Sequence, residues 1–272
     1  MSFLQAIILG IIQGITEFLP ISSSGHLVLT PALLGWHIPP EQIFPFDVLV
    51  QWGTLVAVIV YFWKDLWQIF TAVIQGVINK KPFEQENAKL GWLIVLATLP
   101  AVFAGILFKD MVESTFNSPI MTSVFLFVTA VLLFLSEARQ KQMKPLSQIK
   151  WLDALTIGLF QMLAIFPGIS RSGSTIAGGI FRNFNRKDSA KFSFLMSIPV
   201  MIGAGLFSLP DLFQIQELSA FLPNMLVGFL TAMVVGYISI QWLLKFLTKN
   251  SLKGFAVYCI FLGLIGLLFY YI

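Results

Sequence analysis

The sequence predicts an all-α polytopic membrane protein with six transmembrane helices plus two re-entrant helical hairpins in an inverted-topology repeat. Three observations predict it. Of 272 residues, 57% are hydrophobic and only 11% charged, whereas a soluble domain carries about 25% charged residues. The apolar residues fall into long runs, two of them interrupted by polar turns. The two interrupted runs also resemble each other. A mean hydropathy of +0.85 excludes a cytosolic globular enzyme, a disordered chain and a disulfide-rich secreted domain. The net charge of +4 reflects sparse charge and loop asymmetry, so no nucleic-acid partner is expected. The single cysteine, Cys259, lies in an apolar run and is expected to pack. No Lys or Arg precedes Lys64, so the N-terminus lacks the basic region of a signal peptide and is expected in the mature protein.

In chain order, residues 3–35 are apolar but broken by Pro20 and Ser22-Ser23-Ser24-Gly25-His26. Residues 46–63, 92–108 and 118–136 each approach the roughly 20 apolar residues needed to cross a bilayer. Residues 152–181 are broken by Pro167 and the polar stretch from Gly168 to Thr175, and 192–209, 222–244 and 254–272 are again unbroken. Lys and Arg concentrate on the cytoplasmic side of membrane proteins. Here they cluster in 64–91, 137–151, 182–191 and 245–253, leaving only Lys109 and Arg171 elsewhere. Crossing by 152–181 would place two basic flanks on opposite sides, so this run is expected to dip in and return. By the same reasoning 3–35 dips in from the outer face, 36–45, 109–117 and 210–221 lie outside, and both termini are outside.

Residues 10–25 align with 158–173 without gaps at seven identities: Gly10/Gly158, Gln13/Gln161, Phe18/Phe166, Ile21/Ile169, Ser22/Ser170, Ser24/Ser172 and Gly25/Gly173. Average composition predicts about one. The chain thus reads as one membrane domain, 1–272, with halves of approximately 1–136 and 152–272. Each half holds one hairpin and three spans, and an odd number of spans inverts the second copy. Inverted repeats with broken helices place a binding site near the midplane, where the two polar tips should meet.

Ionisable residues at membrane depth are functional candidates. Gln13 and Glu17, four apart, share a helix face. Ser22, Ser23, Ser24 and His26 follow at the first break; Ser170, Arg171, Ser172, Gly173, Ser174 and Thr175 form the second, which is expected to open a helix over Thr175–Phe181. A glycine-bearing turn at a helix N-terminus, with an Arg fork, suits a phosphate. A serine, a histidine and a carboxylate beside such a cradle suit phosphoryl transfer. In that reading a serine attacks phosphorus and His26 carries the proton. Glu17 orients His26 or the serine, or holds a metal, and Arg171 stabilises charge or serves as the counter-ion of Glu17. Asp47 and Asp153 are expected to cap helix starts.

The two tips carry a family resemblance. Gln13 to Glu17 fits (E/Q)-x-x-x-E, Pro20 to His26 fits P-x-S-S-x-G-H, and Pro167 to Thr175 fits P-G-x-S-R-S-x-x-T. The chain resembles the bacterial undecaprenyl-pyrophosphate phosphatases, also called bacitracin-resistance proteins. The resemblance implies hydrolysis of undecaprenyl pyrophosphate to undecaprenyl phosphate and inorganic phosphate in the bacterial inner (plasma) membrane, at a site open to the outer face. It also implies a divalent cation, Mg²⁺ or Ca²⁺, and bacitracin tolerance. By resemblance, Glu17 and His26 are the essential carboxylate and histidine and Ser23 the candidate nucleophile, while Ser170, Arg171 and Thr175 bind pyrophosphate. With Gln13 neutral, Glu17 alone plus substrate oxygens must supply most metal ligation. Partners are then the polyprenyl pyrophosphate substrate and membrane lipids; a homodimer is compatible with the sequence. The competing reading, a transporter or flippase of a polyprenyl phosphate lipid, also suits inverted repeats with midplane breaks.

Overall fold

The computed structural model describes residues 1–116, 118–139, 143–212 and 218–271, and nearly all of them are helical. α1 (Phe3–Thr16) starts at a capping box: Ser2 Oγ accepts from Gln5 N–H, and Gln5 Oε1 accepts from Ser2 N–H. A turn containing Pro20 ends it, and α2 (Ser23–Leu33) restarts the chain behind the N-cap Ser22. Then come α3 (Pro40–Tyr61), α4 (Trp63–Ile78), α5 (Glu86–Leu107), α6 (Lys109–Phe116) and α7 (Pro119–Arg139). The second broken run is α8 (Trp151–Leu163) and α9 (Arg171–Phe181), followed by α10 (Arg186–Leu212), α11 (Leu218–Phe246) and α12 (Lys253–Tyr271). α5, α7, α10, α11 and α12 are each long and apolar enough to cross a membrane, and α3 with α4 forms a further apolar unit bent by 78°. This is a polytopic helical membrane protein.

The two ends of the second broken run lie close together. Asp153, in the first turn of α8, accepts from Arg182 Nε at 2.6 Å, just past the end of α9, and from Lys144 Nζ at 2.8 Å. The two basic flanks therefore reach one carboxylate. Burial disfavours the ionised Asp153 carboxyl, but donors from Lys144, Arg182 and the Lys150 N–H outweigh it and hold the group below its ordinary value. The same end of the bundle is tied by Glu137, which takes Arg186 through both oxygens at 2.7 and 2.6 Å and accepts from Leu252 N–H ahead of α12. At the other end the N-terminal ammonium donates to Gln42 Oε1 near the start of α3, and Asn224 Nδ2 donates to Met1 O.

α1 packs along α11, α8 along α5, α7 along α12, and α3 against both α10 and α11. Equivalent glycines allow the first two contacts. A Cβ at Gly10 would come within 2.7 Å of Gly228 O, and one at Gly158 within 2.5 Å of Ala97 O. Close approach at small residues is how membrane helices associate without a hydrophobic driving force. Phe18, fully buried, meets Phe194 edge-on at 5.1 Å and fills the centre.

Several expectations are corrected. α4 and α6 lie in segments read as connections. α4 is missed because Lys64 and Asp65 interrupt the apolar count and because it is apolar on two sides: Ile69 and Ala72 are buried while Trp63, Trp67 and Phe70 are exposed. The expected outer segments 36–45 and 210–221 are shortened by α3 and by the ends of α10 and α11, with 213–217 outside the described residues. Asp47 does not cap a helix; it lies inside α3, which starts at Pro40 because proline suits a first helical position. The helix expected over Thr175–Phe181 begins at Arg171, since Ser170 takes the cap.

Candidate active site

The two breaks are built alike. Ser22 Oγ accepts from Gly25 N–H at 3.2 Å and lies 3.3 Å from Ser24 Oγ; Ser170 Oγ accepts from Gly173 N–H at 3.0 Å and lies 3.2 Å from Ser172 Oγ. Each serine caps a helix that starts inside the molecule, satisfying an amide that would otherwise be orphaned. The breaks differ in strain. Ser22 has φ of 68°, a region that L residues enter at some cost. At the second break the turn falls on Gly168, with φ of 95°, where a Cβ would stand 2.2 Å from Thr122 O. Thr129 of α7 clamps this loop, donating to Gly168 O and accepting from Ser170 N–H, both at 2.9 Å.

The breaks meet at Glu17, which is 4% exposed. Its Oε1 accepts from Arg171 at 2.8 Å; its Oε2 accepts from Gln13 Nε2 at 2.9 Å and from Ser23 Oγ at 2.7 Å. Ser172 Oγ adds a bond to Leu19 O at 3.0 Å. A buried carboxylate is expensive unless paired and hydrogen-bonded, and here one full charge and two neutral donors meet it. Ser23, half-buried, is thereby oriented with its hydroxyl donating to a carboxylate.

Not every candidate joins this cluster. Thr175 Oγ1 lies 2.6 Å from Ser193 Oγ and donates to Arg171 O at 2.7 Å, so it braces the arginine's backbone. Ser170 and Gly173 are spent on the cap. His26 is turned away from Ser23: Nδ1 lies 2.7 Å from Ser22 O, and Nε2 lies 2.7 Å from the Tyr258 hydroxyl of α12. Both His26 and Tyr258 line an apolar groove of about 500 Å³ between α1, α11 and α12, walled by Ile12, Ile15, Leu19, Trp242 and Phe255. Glu17, Ser23 and Arg171 do not line it.

A family model described as bacitracin resistance protein BacA matches residues 6–265. The chain belongs to this family. Among its relatives, an undecaprenyl-diphosphatase of Pelodictyon phaeoclathratiforme is 45% identical, covering 97% of this chain and 95% of the relative. One of Chlorobium phaeovibrioides is 44% identical with 98% and 97% covered, and one of Methanosphaera stadtmanae 42% identical with 98% of each.

A metal can be tested against the side chains present. Among the described residues no group of three or more His, Cys, Asp or Glu could hold one. Yet Gln13 Oε1 is buried without a partner, because the amide nitrogen is committed to Glu17. With the Gln13 amide turned to present Oε1 beside the Glu17 carboxylate, the pair would suit a hard cation that keeps waters and binds substrate phosphate. They do not fit an all-protein cage. Sequence reasoning missed Thr129, Ser193 and Tyr258. The first two are hydroxyls inside apolar helices, and Tyr258 resembles an interface anchor.

Proposed function

We propose that this BacA-family chain is an integral-membrane phosphatase that hydrolyses undecaprenyl diphosphate to undecaprenyl phosphate and inorganic phosphate. The product is the lipid carrier of peptidoglycan synthesis. Bacitracin resistance follows because the antibiotic sequesters the diphosphate. The observation that carries the reading is the Glu17 contact, which joins a hydroxyl and a guanidinium from the two breaks on one buried carboxylate.

In the mechanism, Glu17 Oε2 takes the Ser23 proton as Oγ bonds to the terminal phosphorus. The bridging P–O bond breaks and its electron pair leaves with undecaprenyl phosphate. Water then attacks the phosphoserine; Oγ recovers its proton from Glu17 and the water hydrogens leave with inorganic phosphate. Arg171 has donors beyond those on Glu17 and Ser193 O, and these stabilise charge on the transferring phosphoryl group. His26 lines the groove on the lipid side, with Nε2 held by the Tyr258 hydroxyl, and takes no proton from Ser23. This differs from a Ser23–His26 couple, which the side-chain contacts do not favour. Ser170, Ser172, Gly173 and Thr175 shape the diphosphate cradle. Glu17 and Gln13 Oε1 are the residues that would hold Mg²⁺ or Ca²⁺, which when bound supplies charge neutralisation on the diphosphate.

The lipid tail lies in the groove walled by α1, α11 and α12. The out-and-back course of the second broken run, the tying of its basic flanks at one end of the bundle and the matching cap at the first break support two re-entrant hairpins entering from opposite faces. They also support six spans, α3, α5, α7, α10, α11 and α12, in an inner bacterial membrane. In this topology both termini and the approach to the site are outside. Matching caps at Ser22 and Ser170, and matching glycine contacts at Gly10 and Gly158, support the inverted repeat. The test is phosphate release from undecaprenyl diphosphate by purified protein in detergent. Release that EDTA suppresses is expected. No release, with movement of the intact lipid across liposomes, would instead support transport.

A further inference from the structure

We propose that Tyr258 is a positioning residue, holding His26 in one tautomer and one ring orientation at the groove; the proposal rests on the phosphatase reading above. A carbonyl oxygen only accepts, so Nδ1 at 2.7 Å from Ser22 O carries a proton. In the neutral ring Nε2 then holds the lone pair, and the Tyr258 hydroxyl at 2.7 Å is its donor. The two rings are parallel to within 2°. Ser22 presents its carbonyl from the left-handed backbone conformation at φ 68°, and Tyr258 presents its hydroxyl from the distant helix α12.

Gripped at both nitrogens, the imidazole cannot flip, and any proton it passes at Nε2 goes through the Tyr258 hydroxyl. His26 and Tyr258 both line the groove. Tyr258 is 40% exposed and follows Phe255 and Gly254 along one face of α12, the face that lines the groove. Its neighbour Cys259 is fully buried on another face. A tyrosine serving only to fill the groove wall has no need of its hydroxyl; one that positions His26 does.

The chain has two histidines, and His37 is exposed, so a His37→Asn background leaves His26 as the single imidazole. In that background, ¹⁵N-histidine spectra of micellar protein are expected to show Nδ1 protonated and Nε2 accepting a hydrogen bond. Tyr258→Phe should shift the Nε2 resonance toward an unbonded nitrogen. It should also lower kcat on undecaprenyl diphosphate by about ten- to a hundredfold with KM little changed, the range for partners that orient a histidine. Tyr258→Gln, whose amide can donate, should recover part of both effects despite losing the ring. A packing role gives the reverse order, with Phe near wild type and Gln the most impaired. That order, or an Nε2 resonance unmoved in Tyr258→Phe, overturns the proposal. Absence of phosphate release by the unsubstituted protein overturns the phosphatase reading instead, and the nitrogen resonances still decide whether Tyr258 grips the ring.

Discussion

Glu17 accepts from three side chains on its two oxygens, and each donor has a separate consequence. Arg171 supplies the opposite charge, Gln13 fixes the carboxylate plane from one helical turn below, and Ser23 becomes the candidate nucleophile. Ser23→Ala is expected to cut phosphate release by at least about 10³-fold, the order lost when a triad-type nucleophile is removed. Mass spectra of acid-quenched wild-type protein should show phosphate on the Ser23 peptide and none in the variant; activity retained in Ser23→Ala would point to direct attack by water. Glu17, His26 and Arg171 stand out in the sequence because charge and imidazole at membrane depth are costly. The partners of His26 do not stand out. Which way its ring turns depends on the Ser22 backbone and on α12, 232 residues away, and no local pattern encodes either.

At the scale of elements, the second break is clamped from α7. Gly168 has no room for a side chain, and Thr129 pairs the Gly168 carbonyl and the Ser170 amide with one hydroxyl. Thr129→Val keeps the shape and leaves two buried backbone groups unpaired, each costing about 1–3 kcal/mol. Its unfolding temperature in detergent should fall, and kcat should drop by about 10²-fold, the scale of a roughly 1 Å misplacement of Arg171. Unchanged kcat and stability would show that the clamp is dispensable. Pro20 and Pro167 mark both breaks in the sequence, so the interrupted helices are legible there. α4 is not, because a helix apolar on two sides and carrying Lys64 and Asp65 fits neither a span nor a solvent-facing amphipathic helix.

Across the whole molecule, one end gathers Asp153, Glu137 and their basic partners, and the other gathers the N-terminus, Gln42 and Asn224. If the first end is cytoplasmic, a cysteine at His37 in a Cys259→Ser background should react with a membrane-impermeant maleimide on intact cells. One at Lys249 should react only after lysis, and the reverse pattern would invert the topology. Basic clustering along the chain is the sequence signal behind this expected orientation, whereas the packing of α1 on α11 and of α8 on α5 depends on contacts between the halves. The central claim is that both breaks form one catalytic unit, and a double-mutant cycle between Glu17→Gln and Arg171→Ala tests it most directly. With phosphate release from undecaprenyl diphosphate as the readout, each single variant should lose about 10²–10⁴-fold and the double variant little more than the worse single. Losses that multiply would mean that the two residues act independently and that the breaks do not share a site.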